Sequence, residues 1–128
     1  MKTGRDVFFR AMVLLGYTGV DGTVDGAQSA ELFRRGLDIV NQVAADLWPL
    51  EKEKEEAFAP LKALTQEIPL SASAVENILP YGVAAFLAQA DGDGTNQQFF
   101  TSLYQQKRNM AERPLKRRGD VLPRSWEE

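Results

Sequence analysis

Between residues 67 and 108 apolar positions recur every three or four residues, then break at an Asp/Gly turn, then recur again. That pattern predicts two amphipathic helices joined by a short turn. In the first, Val75, Ile78, Leu79, Val83, Phe86 and Leu87 share a face, and Ser73 and Glu76 have capping-box spacing. Pro80 lacks an N–H and clashes with the preceding turn. It either kinks one helix or opens a second as its first residue. Asp91–Gly94 makes the turn, with Thr95 or Asn96 as the next cap. Phe99, Phe100, Leu103 and Tyr104 form the core face of the following helix, which the pattern ends before Pro114.

Upstream, Leu32, Phe33, Leu37, Val40, Val43, Ala44 and Leu47 mark a helix from about Ala27 to Trp48, capped by Asp25 or Ser29 and ended by Pro49. Gly36 lies on or beside its apolar face. A glycine there costs up to ~1 kcal/mol relative to alanine, which points to close packing of another helix. A first helix begins at Thr3, with Asp6 in its first turn and Gly16 as its stop. Its apolar positions are Val7, Phe8, Ala11, Met12, Leu14 and Leu15. The glycine- and aspartate-rich segment 16–26 reads as a loop or small hairpin. Residues 51–60, EKEKEEAFAP, lack an apolar face and read as a mobile charged excursion. Leu61, Leu64 and Ile68 return the chain to the body. The expected fold is an all-α bundle of four or five helices over residues 1–113, with an extended C-terminal tail over 114–128. Its expected core includes Leu37, Val40, Val43, Leu79, Val83, Phe86, Phe99, Phe100 and Leu103.

Composition narrows the chemistry. The 128 residues make one domain and contain no cysteine and no histidine. Disulfides, thiol catalysis, histidine general-base chemistry and the usual zinc sites are therefore excluded. No apolar run approaches the ~20 residues of a membrane span. Arg5, Asp6 and Arg10 interrupt the N-terminal apolar patch, so it reads as a mature helix and not a signal peptide, which places the chain in a cytoplasm.

Two segments imitate known sites and fall short. DGTVDG at 21–26 has calcium-loop residues at Asp21, Thr23, Asp25 and Gly26, but Leu32 stands where the bidentate glutamate belongs. DGDGTN at 91–96 lacks the required glycine and acid, and the GDG within it follows a helix instead of a strand. Turns and caps explain both. Asp91, Asp93 and serines 71 and 73 have no identifiable catalytic partner. No enzyme activity, metal or cofactor is expected.

Charge is unevenly spread. Residues 1–100 hold 8 Lys/Arg and 14 Asp/Glu, a balance of −6, while residues 101–128 hold 7 and 4, a balance of +3. The tail residues Arg113, Lys116, Arg117, Arg118 and Arg124 could attract phosphates or simply be solvated. With Leu122 and Trp126, they could instead dock the tail on a neighbour. Docking is the favoured reading, so these seven are the candidate partner-binding residues.

ILPYGVAAFLAQADGD (78–93) followed by FFTSLYQQKR (99–108), with ELFRRGLDIVNQVAADLW (31–48) before them, resembles the small head–tail connector proteins of tailed bacteriophages and prophages, also called head-completion or adaptor proteins. The resemblance extends loosely over residues 5–112 and assigns no individual binding residue. It implies a helical, non-catalytic virion structural protein that assembles in the host bacterial cytoplasm and resides in the virion neck. It further implies an oligomeric ring, dodecameric in the virion, between the portal protein and a tail-completion protein. DNA would pass through that ring without sequence-specific recognition. The alternatives are another tail-side assembly component and a small nucleic-acid-binding or regulatory helical module using the basic tail.

Overall fold

A computed structural model describes residues 2–16, 26–51 and 57–119, without the side chains of 26–33 and 113–119. Five α-helices follow one another: α1 (Gly4–Leu15), α2 (Gly26–Leu47), α3 (Ala72–Asn77), α4 (Leu79–Ala90) and α5 (Gly94–Gly119). A 3-10 turn, Trp48–Leu50, closes α2. The fold is all-α, and the described residues form only an isolated bridge, Thr3 with Glu67.

The centre is α4. No charged residue lies between Ile78 and Ala90, so this helix is apolar on nearly all sides and must be surrounded. It packs against α1, α2, α3 and α5. Leu79, Pro80, Val83, Ala84, Leu87 and Ala88 are buried along it. Full burial of a valine or leucine side chain contributes about 1.5–3 kcal/mol. Val7, Phe8, Ala11 and Met12 of α1, and Val40, Val43, Ala44 and Leu47 of α2, complete the core.

Local chemistry sets the helix ends. Thr3 and Asp6 form a reciprocal capping box on α1, and Gly16 ends the helix at φ 74°. Pro80 opens α4 close behind α3, which resolves the alternative left by the sequence. The Ile78 N–H ends α3 on the Ala74 carbonyl, and the Ile78 carbonyl accepts from Tyr81 and Gly82. The proline ring thus sits where no N–H is required. The α4–α5 turn is a Schellman motif, with Asp93 N–H on the Ala88 carbonyl (2.9 Å), Gly92 N–H on the Gln89 carbonyl (3.2 Å) and Gly92 at φ 74°.

Two glycines mark close helix crossings. A Cβ on Gly36 would lie 2.5 Å from the Phe8 ring, which is the close packing that Gly36 foretold. A Cβ on Gly82 would lie 2.7 Å from Val43 and 2.9 Å from Tyr104, so α2, α4 and α5 converge there. The return segment 61–70 clamps α1. Gly4 and Arg5 donate to the Gln66 and Leu64 carbonyls, and Ile68 donates to Lys2. The Asn41 amide grips both the N–H and the carbonyl of Leu61 at 2.7 and 2.9 Å.

Four expectations are corrected. Ser71, not Ser73, caps the helix after the return segment, accepting from Ala74 N–H. Asp93, not Thr95 or Asn96, caps α5, accepting from Asn96 N–H. Phe99 is not core but 57% exposed, while its neighbour Phe100 is buried; Leu37, Phe86 and Leu103 are only half-buried at the core's margin. Finally, Pro114 does not end α5, which continues to Gly119. The tail therefore does not begin at 114. Strong helix formers surround Pro114 in the sequence, which offsets part of the proline's cost.

Candidate functional site

Helices α2 and α5 lie on either side of α4 and leave a groove of about 500 Å³ over its first two turns. Gly82, Ala85 and Phe86 form the floor. Gln42, Ala45 and Asp46, spaced i, i+3, i+4 on α2, form one wall, and Thr101, Tyr104 and Gln105 repeat that spacing on α5. Gly82 lets Val43 and Tyr104 close in at one end of that floor, since a Cβ there would lie 2.7 and 2.9 Å from them.

A polar cluster ties the two walls together. The Tyr104 hydroxyl donates to Asp46 Oδ2 at 2.5 Å, and Arg108 Nε donates to the same oxygen at 3.0 Å. Arg108 Nη2 also donates to the Asp46 carbonyl at 3.1 Å. That carbonyl lies in the last turn of α2, which has no basic residue of its own, so Arg108 supplies the cation its dipole favours. Glu112 lies 3.7 Å from Arg108 Nη1. Burial, and then the hydrogen bond to Asp46, push the Tyr104 hydroxyl well above the ordinary tyrosine range. Its proton is directed at Asp46. The cluster is thus an interhelical tie, and the groove above it offers apolar contact with amide edges at Gln42, Gln89 and Gln105.

The other side of α5 carries a ridge. Phe99, Leu103, Gln106 and Met110 have spacings of four, three and four, which at about 100° per residue puts them on one stripe. Phe99 and Met110 are 57% and 58% exposed. Phe99 stacks edge-on against Phe100 at 5.0 Å, one ring outward and the other in the core. By the same rotation, Thr101 and Gln105 lie on the opposite side of the helix from the ridge. Lys107 covers the Tyr81 ring at 4.5 Å, between the two.

Of the candidate partner-binding residues, Arg113, Lys116, Arg117 and Arg118 occupy backbone positions in the last two turns of α5. Leu122, Arg124 and Trp126 lie outside the described residues, as do Asp21, Thr23 and Asp25 of the calcium-like segment and residues 52–56 of the charged excursion. The near end of that excursion is held by Glu51, which accepts from Ser71 N–H at 2.9 Å, and Phe58 at its far side packs on Trp48. Among the described residues no three acidic side chains gather as metal ligands, and no helix is long and apolar enough to cross a membrane. The groove, the ridge and the Asp46–Tyr104–Arg108 tie were not visible in the sequence pattern; the i, i+4 pairs Phe99–Leu103 and Phe100–Tyr104 were the only signal that α5 has two apolar stripes. Comparisons with protein-family models, curated proteins and solved structures find no match to this chain.

Proposed function

We propose that this chain is a non-enzymatic structural protein of the tailed-phage neck, a ring subunit that joins the portal of the head to the tail. What carries the reading is that the three segments resembling head–tail connectors fold into one packed unit, α2, α4 and α5, with Phe99 and Met110 of α5 exposed. An apolar stripe of that kind belongs to a protein completed by contact. Charge separation supports the reading, since an acidic body and a basic helix on one chain favour encounter between copies. The partners under this proposal are further copies of the chain, a portal protein and a tail-completion protein, with DNA threading the ring.

Coexpression with the portal protein encoded in the same genome tests it. The expected result is co-purification and a ring by electron microscopy. Failure to bind the portal or form rings under any condition overturns it. A second reading, a small nucleic-acid-binding module, is favoured by the six Lys/Arg between Lys107 and Arg118. It requires duplex DNA binding by the monomer that weakens steeply as salt rises.

A further inference from the structure

We infer that α5 is built in two parts: a shaft through Glu112 that the body holds, and a cationic arm, residues 113–119, that opens as a unit while the core stays closed. The inference stands independently of the neck reading. Tyr81 and Gly82, at the start of α4, meet Phe100, Tyr104 and Lys107 of α5. The helix therefore doubles back along α4 and has reached its first turn by Lys107. Residues 108–119 run on past it, about 18 Å at 1.5 Å per residue.

Where α5 leaves α4, Arg108 fastens it to the end of α2. The Arg108 side chain is 24% exposed and donates to Asp46 Oδ2 at 3.0 Å and to the Asp46 carbonyl at 3.1 Å. Glu112 follows one turn later, 3.7 Å from Arg108 Nη1, and Ala111 between them packs on the margin of the core. Past Glu112 the chemistry reverses. Pro114 has no N–H to offer the Met110 carbonyl, and a proline ring crowds that carbonyl in a helix interior. Arg113, Lys116 and Arg117 stand at i, i+3 and i+4, where like charges oppose the helix. No acid follows Glu112 within α5 to offset them. A firm anchor beside a weak turn makes the weak turn the place where the helix opens first. Opening there moves four cations, Arg113, Lys116, Arg117 and Arg118, and leaves the packing of α1, α2 and α4 in place.

Amide hydrogen exchange on the full chain, read residue by residue by NMR, tests this. In wild type, amides 115–119 should exchange at least about tenfold faster than amides 100–108, with a step at Pro114. Pro114→Ala should slow exchange at 115–118 at least about tenfold and leave 100–108 as they were. Arg108→Gln should speed exchange at 109–113 about threefold and leave 100–104 unchanged. Four results overturn the inference. Wild-type protection at 115–119 equal to that at 100–104 would make α5 one unit. Exchange at 115–118 unmoved by Pro114→Ala would reduce the arm to ordinary fraying of a helix end. In Arg108→Gln, no acceleration at 109–113 would remove the anchor, and equal acceleration at 100–104 would show that α5 opens as a whole.

Discussion

The inner face of α1, turned away from the exposed Val13, and the outer side of α5 treat apolar residues in opposite ways. Val7, Phe8, Ala11 and Met12 are all but sealed from solvent, and the helix bearing them is held by a capping box, by the 61–70 segment and by the Phe8–Gly36 crossing. On α5, Phe99 and Met110 project into solvent, while Phe100 and Tyr104, one position along from the ridge residues Phe99 and Leu103, supply the intramolecular contact. The first region is determined by its own chain. The second has apolar surface that stays exposed among the described residues. The difference separates residues that make the fold from residues available for assembly, and each prediction below probes one side of that division.

The largest effect belongs to the sealed end. Phe8→Ala should cost about 3–5 kcal/mol in chemical denaturation, because the ring is fully buried against Gly36. A cost below ~1 kcal/mol would mean that this end is no better determined than α5. Asn41→Ala should cost about 1–3 kcal/mol, since it leaves the Leu61 N–H and carbonyl without the partner that ties the return segment to α2. Proteolysis of that segment should accelerate in parallel.

Thr3→Ala should cost about 1 kcal/mol through the lost cap. Asp6→Asn, which removes the titrating carboxyl, should flatten part of the acid limb of the stability profile. The hydrogen bond from the Thr3 N–H holds the Asp6 carboxyl below its ordinary value of 3.8. Its contribution is fully present above that value and is lost as pH falls through the lower folded-state pKa. An acid limb identical in the variant would remove Asp6 from the account. The smallest stability effect is expected on the ridge: Phe99→Ser should change unfolding by no more than ~0.5 kcal/mol, and a cost above ~2 kcal/mol would show that the ridge is part of the core after all.

Much of the sealed end was legible in the sequence because its signals are local. Thr3, Asp6 and Gly16 act within one helical turn of a helix end, and Gly36 announces a crossing because a glycine inside a strong helical pattern needs a packing reason. Less of α5 was legible. Phe99–Leu103 and Phe100–Tyr104 are both i, i+4 apolar pairs, and periodicity cannot choose which pair faces α4; the docking of α4 at Gly82 makes that choice. Pro114 misled because a local penalty competes with the helix propensity of a long helix. The Asn41 clip spans 20 residues and the Tyr104–Asp46 bond spans 58. Polar pairings at such separations leave no local trace, and the groove they border was therefore hidden as well.

The contrast can be read most directly from two methionines. Met12 is 1% exposed in the sealed end, and Met110 is 58% exposed on the ridge. With methionine methyl groups labelled for NMR, the account predicts that the Met110 resonance shifts or broadens as protein concentration rises, while Met12 stays fixed. A Met110 resonance that stays unchanged at concentrations where the protein associates would contradict it, as would a Met12 resonance that moves with it.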